Sequence, residues 1–485
     1  MPLGFRSLFP AAVLLGRVAV ISLGGLGGEA SSQQALPAAA AGGQILAMSD
    51  LHFDPMADPR LVDRLAVAEP DGWSAILDNS SDRGFSQYGR DTNWPLLHSA
   101  LRQMAETLPN PVFVLISGDF LAHHFREEFD AGASDHSDAA YRGFVHKTME
   151  FLGQQLEQGF PGTPIIPALG NNDEICGDYQ LQPGGPFLAD TLPIIRGLAG
   201  NAGGPGFDRN WRSYGNYSAR VGGARVLSTN TNFFSVRYRN TCGSPADGDP
   251  GKATLAWLEA ELAAAKVAQE RVWLLYHIPP GIDGYATLRR GSCPGPVVPM
   301  WEQAHAEAFI ALLRRYSDIV IASFAGHTHM DDFRLLGDTG GRFAFALMTP
   351  AVSPIFGQNP AFRTVSYDAA AGITDQTTYA LANLADATVA PGGIPPEWRA
   401  EYTFTEQWSL PRIDLPSIDR LYSLITEVPE AAQRWQVIFS VSSPVYWAPF
   451  SIGNEQLAQA ARAFRCASGN VDPTDYEHCY CSARD

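Results

Sequence analysis

Five short apolar runs in this 485-residue chain are each followed at once by Asp, His or Asn. Residues 45–48 lead into Ser49-Asp50-Leu51-His52, and 112–116 lead into Ser117-Gly118-Asp119. Residues 164–168 lead into Gly170-Asn171-Asn172-Asp173. Residues 272–276 lead into His277-Ile278-Pro279-Pro280-Gly281, and 319–324 into Gly326-His327-Thr328-His329. Imidazole, carboxylate and amide oxygen together suit a divalent Zn, Mn or Fe ion, and the absence of cysteine ligands argues against a purely structural zinc site. Alone, Asp-x-His or Gly-Asp is an ordinary turn and His277 a core histidine. Gly-His-x-His is more specific, and the ordered set has no simple structural use. The expected ligands are Asp50, His52, Asp119, Asn171, His277, His327 and His329. In extended backbone, residues i and i+2 point to one side, so Asp50/His52 and His327/His329 can each converge. The glycines before Asp119, Asn171 and His327 permit a sharp turn and close backbone approach.

The elements that must position these groups follow from the runs themselves. Their length and their β-branched and aromatic content predict strands, as they do at 225–227 and 343–347. Apolar residues at three- and four-residue spacing predict helices over 93–107, 139–157, 252–268 and 299–316. The alternation predicts an α/β core, over 44–385, with a largely parallel sheet. Ligands gather at the carboxyl ends of such strands, so five distant segments can deliver their polar groups to one place. Beyond 385, Pro391, Pro395 and Pro396 punctuate a loop. Helices around 416–436 and 454–465 then predict a small helical, disulfide-containing C-terminal subdomain over 386–485.

Composition narrows the function classes. Hydrophobic residues make up 45% of the chain, enough for a real core. A net charge of −17, with no basic run beyond pairs such as Arg289-Arg290, excludes nucleic acid as a partner and disfavours anionic membranes. An anionic substrate then needs local positive charge, which bound metal ions supply. Residues 1–30 read as a signal peptide, with Arg6 ahead of an apolar run and a small-residue site at Gly28-Glu29-Ala30. Arg17 and the glycines make that run a poor membrane span, so a secreted or periplasmic protein without stable membrane insertion is expected. Residues 31–43 read as a linker. The six cysteines match no zinc-finger spacing and suit disulfides in an oxidising compartment.

The set Asp-x-His, Gly-Asp, Gly-Asn-x-Asp, His and Gly-His-x-His is similar to that of the calcineurin-like metallophosphoesterases. Several stretches resemble the acid sphingomyelinase branch of that family. They are His277-Ile278-Pro279-Pro280-Gly281, Gly326-His327-Thr328-His329-Met330-Asp331-Asp332-Phe333 and Asn230-Thr231-Asn232-Phe233. Thr378-Tyr379-Ala380-Leu381-Ala382-Asn383-Leu384 and Gly393-Ile394-Pro395 extend the likeness, which covers roughly 45–482.

The resemblance implies a four-layer αββα sandwich and two divalent metals, zinc first, with Mn or Fe as alternatives. One metal is then held by Asp50, His52 and His329, the other by Asn171, His277 and His327, and Asp119 bridges them. A hydroxide between them would attack a phosphodiester in line. Asp173 would orient a neighbour or cap a turn. The implied substrate is a lipid head group such as sphingomyelin or a nucleotide-like diester. Too little chain separates the proposed cleavage site from Ile45 for the lipid-extracting helical domain of sphingomyelinases, which favours soluble substrates. A polyphosphatase or phosphomonoesterase is the second enzyme reading, and a metal-dependent binding protein with a weak site is the third.

One position departs from the family. A histidine often follows the asparagine of the Gly-Asn motif, and here Asn172 stands there. An amide can hydrogen-bond a phosphoryl oxygen but is no acid near neutral pH. The branch also places a histidine shortly after Gly-Asp, which His123 matches, so His123 is the expected general acid and His124 the fallback. The same resemblance suggests disulfides Cys242–Cys293 and Cys466–Cys479, leaving Cys176 and Cys481 unassigned.

Overall fold

Twelve strands carry the framework: β1 (Gly43–Met48), β2 (Val114–Ile116), β3 (Ile165–Pro167), β4 (Tyr217–Val221), β5 (Ala224–Ser228), β6 (Val272–Leu275), β7 (Val320–Ala325), β8 (Asp332–Asp338), β9 (Gly341–Met348), β10 (Ala361–Tyr367), β11 (Ile373–Leu381) and β12 (Trp398–Thr403). They are described in a computed structural model covering residues 42–482, apart from 241, 243–247, 292, 294 and 451–453. The expected signal peptide, and the expected linker up to residue 41, lie outside the described residues.

The strands form two six-stranded sheets, ordered β12-β11-β10-β1-β2-β3 and β4-β5-β6-β7-β9-β8. Pairing is parallel along β1-β2-β3 and along β5-β6-β7-β9. Of these, β2, β3, β5 and β6 are buried along their whole length, which explains their mostly apolar, β-branched runs. The sheets face each other across large rings. Trp273 of β6 lies 5.7 Å from Phe113 and 5.4 Å from Tyr367 of the other sheet, and its indole N–H donates to the Ala371 carbonyl at 2.9 Å. A ring of this size contributes about 1.5–3 kcal/mol on full burial.

Helices cover the outer faces. Trp94–Thr107, Asp138–Gly159 and Pro186–Ala199 pack beside the first sheet, and Pro250–Val267 and Gln303–Arg315 beside the second. Three of these helix starts are capped by a side chain. Asn93 accepts from the Leu96 amide, Ser137 from Ala140 and Asp249 from Lys252, the usual side-chain caps. The C-terminal region is helical from Phe404 on. Leu415–Glu427 and Asn454–Gly469 lie against β8 and β9. The fold is thus mixed α/β, two sheets between layers of helices.

Three expectations need correction. The two sheets of the expected four-layer sandwich are present, but they are mixed rather than largely parallel, because β4, β8, β10, β11 and β12 pair antiparallel. The helix expected over 416–436 is two, Leu415–Glu427 and Pro429–Phe439, because Pro429 has no N–H to continue the first. The Cys242–Cys293 pairing does not form. Cys176 bonds Cys242 and Cys293 bonds Cys481, with Cα separations of 5.5 and 5.3 Å, so both partners of the expected bond are engaged elsewhere. Cys466–Cys479 forms as expected. No helix among the described residues is long and apolar enough to cross a membrane.

Candidate metal centre

The carboxyl ends of β1, β2 and β3 meet those of β6 and β7 at one place between the sheets. Backbone bonds stitch the loops together there. The Asp50 amide donates to the Gly118 carbonyl at 2.9 Å and His52 to Asp119 at 3.0 Å, while Gly326 donates to His277 at 3.0 Å. A side chain would not fit at the crossings. A Cβ on Gly118, whose φ is +95°, would sit 2.7 Å from the Gly170 nitrogen and 2.8 Å from His277 Nδ1. Asn232 Nδ2 donates to the Gly170 carbonyl at 2.7 Å, tying the segment after β5 into the same cluster.

The i, i+2 pairs converge by a route other than the one expected. Asp50, His52, Asp119, His327 and His329 all have positive φ, between 40° and 72°. The pairs therefore turn inward through left-handed backbone rather than through strand alternation. That conformation costs a non-glycine residue roughly 1–2 kcal/mol and is tolerated where surrounding contacts fix it.

Two histidines have a defined tautomer. His277 Nδ1 lies 2.6 Å from the Ser117 carbonyl and His52 Nδ1 3.0 Å from the Leu121 carbonyl. A carbonyl only accepts, so each Nδ1 carries a hydrogen and each Nε2 is aimed into the cluster, where it offers a lone pair once a cation takes the place of its proton. His52 Nε2 faces His329 Nε2 at 3.1 Å, and Asp50 Oδ1 lies 3.2 Å from His329 Nε2. On the other side, His277 Nε2 lies 3.1 Å from Asn171 Oδ1 and 3.1 Å from Asp119 Oδ2. Asp119 Oδ2 is also 3.4 Å from His52 Nε2, so one oxygen serves both halves. The Asn171 amide is oriented by donating to Asp178 Oδ1 at 2.7 Å. His327 stands at the rim, with its Nε2 3.2 Å from the Tyr179 hydroxyl and its ring 5.2 Å from that of His277.

The electrostatics favour a cation. Burial pushes Asp50 up, but His329, His277 and His52 outweigh it and hold the carboxyl well below its usual range. Asp119 is likewise lowered against burial by His277 and His52. Burial pulls the two buried histidines down, yet Asp119, Asp50 and, for His52, Asp91 lift His52 to about 10 and His277 to about 9. Burial and the charge of His277 press His327 down to about 3. Two buried carboxylates thus draw positive charge into a space lined by convergent lone pairs. This donor set fits divalent transition-metal ions.

Asp173 has a defined role. It accepts the backbone N–H groups of Asp119, Gly170, Phe120 and Leu121 at 2.7–3.2 Å, locking the β2 and β3 loops together.

A family model described as calcineurin-like phosphoesterase matches residues 43–331, from β1 through the His327/His329 loop. The chain belongs to the calcineurin-like phosphoesterase family. It is therefore an enzyme of the metal-dependent phosphoesterase class. It is 28% identical to the mouse acid sphingomyelinase-like phosphodiesterase 3b over 82% of this chain and 83% of that protein. It is 26% identical to the mouse cyclic GMP-AMP phosphodiesterase SMPDL3A over 90% of this chain and 91% of that one. Identity to sphingomyelinase phosphodiesterase D of Dictyostelium discoideum is 26%, over 67% and 68%.

Within this phosphoesterase site, His123 and His124 part ways. The His123 ring stacks on His52 at 4.2 Å, and its Nδ1 donates to Asp91 at 3.1 Å. His124 is exposed, with left-handed backbone, at the start of the helix Phe125–Gly132. Asn172 points into the cluster and bonds Asp119. Asp91, Asp178 and Tyr179 also contact the candidate site residues, although no motif marks them in the sequence. They sit in irregular loops, and only their chain proximity to Thr92-Asn93 or Asn171 could have flagged them.

Proposed function

We propose that this centre holds two divalent metal ions and hydrolyses phosphodiesters. The observation that carries the reading is Asp119 Oδ2, placed between His52 Nε2 at 3.4 Å and His277 Nε2 at 3.1 Å. Asp50, His52 and His329 would hold one ion, and Asn171, His277 and His327 the other, with Asp119 shared. Such ions, when bound, neutralise charge on phosphoryl oxygens and lower the pKa of water. Zinc suits the imidazole-rich set best, with Mn or Fe as alternatives.

The protein's own groups do the rest. Asp173 fixes the two loops that carry Asp119 and Asn171. Asn172 steadies the shared carboxylate. His123, with Nδ1 committed to Asp91, keeps Nε2 for delivering a proton to the leaving oxygen. The names of the relatives support diesters, either a choline-type lipid or a nucleotide-like molecule. Three disulfides support an exported protein, secreted or periplasmic.

The test uses the purified chain, stripped with a chelator and reloaded with Zn or Mn. Bis-p-nitrophenyl phosphate is expected to be cleaved, and His277→Ala to abolish the activity. Hydrolysis of p-nitrophenyl phosphate alone would replace this reading with a monoesterase.

A further inference from the structure

Phe356 is half exposed, at 50%, although it touches two site histidines. Its ring lies 4.5 Å from that of His329 and 5.7 Å from that of His123, edge-on to both. The other aromatic ring against a site histidine, Tyr179, is buried. A single exposed phenyl is ordinary on a surface, but this one sits against two histidines of the polar cluster, so its open face borders the site.

The loop that presents this ring is rigidly built. The Pro354 carbonyl accepts from Gly357 at 3.0 Å, closing a turn with Phe356 at its third position, and from Gly89 at 3.1 Å. Gln358 and Asn359 follow and are fully buried. The Gln358 amide donates to the Ser353 carbonyl, and Asn359 Nδ2 to the Val441 carbonyl at 2.9 Å. Ser443 Oγ donates to the Gly357 carbonyl at 2.5 Å. Bonds on both flanks thus hold one apolar ring out at the mouth of a polar cluster.

The surroundings select its occupant. A quaternary ammonium is held by a cage of several aromatic faces, usually with Trp or Tyr. Here Phe356 is a single face. Asp91, the carboxylate that His123 contacts, is already engaged by His123 and Ser353. A single fixed face suits a planar aromatic ring, as in base stacking.

We infer that the exposed face of Phe356 is the stacking platform for a planar, nucleobase-type group on the substrate. This rests on the phosphodiesterase reading and narrows it to nucleotide-like substrates.

The experiment compares AMP with ribose 5-phosphate as ligands of the metal-loaded full chain, by calorimetry or by inhibition. The two share phosphate and ribose and differ in the base. The native protein is expected to prefer AMP by about ten- to a hundredfold, the range for one lost stack. Phe356→Ala should abolish that preference at unchanged metal content, and Phe356→Trp should keep it. Equal binding of both ligands by the native protein overturns the inference. So does a preference that survives in Phe356→Ala, or a loss seen with phosphocholine instead. The diester assay on the native protein is read separately, so failure of hydrolysis and failure of stacking are distinct results.

Discussion

The side-chain amide of Asn172 donates to Asp119 Oδ2 at 3.0 Å, while the Asn172 backbone N–H donates to Oδ1 of the same carboxylate at 2.8 Å. The residue that replaces the family's usual histidine thus grips the oxygen shared by both halves of the site. Asn172→Ala keeps the backbone bond and loses the other. Metal affinity is expected to fall about 10–100-fold, as for other partners of ligating groups, with activity restored at saturating metal. A metal titration followed by activity and by bound-metal analysis checks this. Loss of activity at full metal occupancy would move Asn172 from the metal to the substrate.

His123 is expected to matter in proportion to the leaving group. An alkoxide needs a proton as it departs, and a nitrophenolate does not. His123→Ala should therefore lose about 10²–10⁴-fold on an alkyl diester and little on bis-p-nitrophenyl phosphate. Asp91→Asn should reproduce part of the loss, because it disturbs the Nδ1 partner. His124→Ala, at an exposed position, serves as the control. Equal losses on both substrates would sink the acid role.

The Cys176–Cys242 bond fastens the loop bearing Asn171, Asp178 and Tyr179 to the segment after β5. The Arg239 amide reinforces it by donating to the Tyr179 carbonyl at 3.0 Å. The bond spans 66 residues, so the double variant Cys176→Ser/Cys242→Ser is expected to lose about 4 kcal/mol of stability by loop-closure entropy. Denaturant unfolding measures the loss. Weaker metal binding should accompany it, through Asn171.

Glu401 on β12 supplies a pH dependence away from the site. Burial, with Asp331 nearby, raises its carboxyl from 4.5 to about 8, against the opposing pull of Ser442 and Arg363. The folded state then holds a proton that the unfolded chain releases. Both states are protonated below about 4.5, so no penalty exists there. Stability falls as pH rises through the window from 4.5 to about 8. Glu401→Gln removes the titration. Its melting temperature should exceed the native value by a margin that grows from pH 4.5 to pH 8. The underlying stability difference should reach about 2 kcal/mol at pH 8, less than the shift alone implies because the side chain is partly exposed. A constant margin would refute the assignment.

The gathering of the seven candidate residues was legible because each follows an apolar run, and five such runs became parallel strands ending at one place. The sheets were less legible. Strand β11 carries Thr374, Asp375 and Thr377 on partly exposed positions and polar Gln376 and Thr378 on buried ones, so its apolar run was broken. The C-terminal helix break needed only Pro429. Disulfide partners depend on how distant loops fold together, and Cys242 and Cys293 carry no local mark of their true partners. The conformation of the ligands was hidden for the same reason: left-handed Asp50 or His329 is imposed by the crossing loops, not by residue type.

Those five left-handed candidate ligands bear on how this protein can change. Glycine adopts such backbone without the steric cost that a side chain brings, a cost that histidine and, to a lesser degree, aspartate retain. Stability and catalysis therefore pull in opposite directions at positions 50, 52, 119, 327 and 329. A population of variants screened for heat resistance alone would be drawn to these sites early and would emerge sturdy and inert. Any thermostabilisation effort has to hold them fixed and search the helices and outer strands instead.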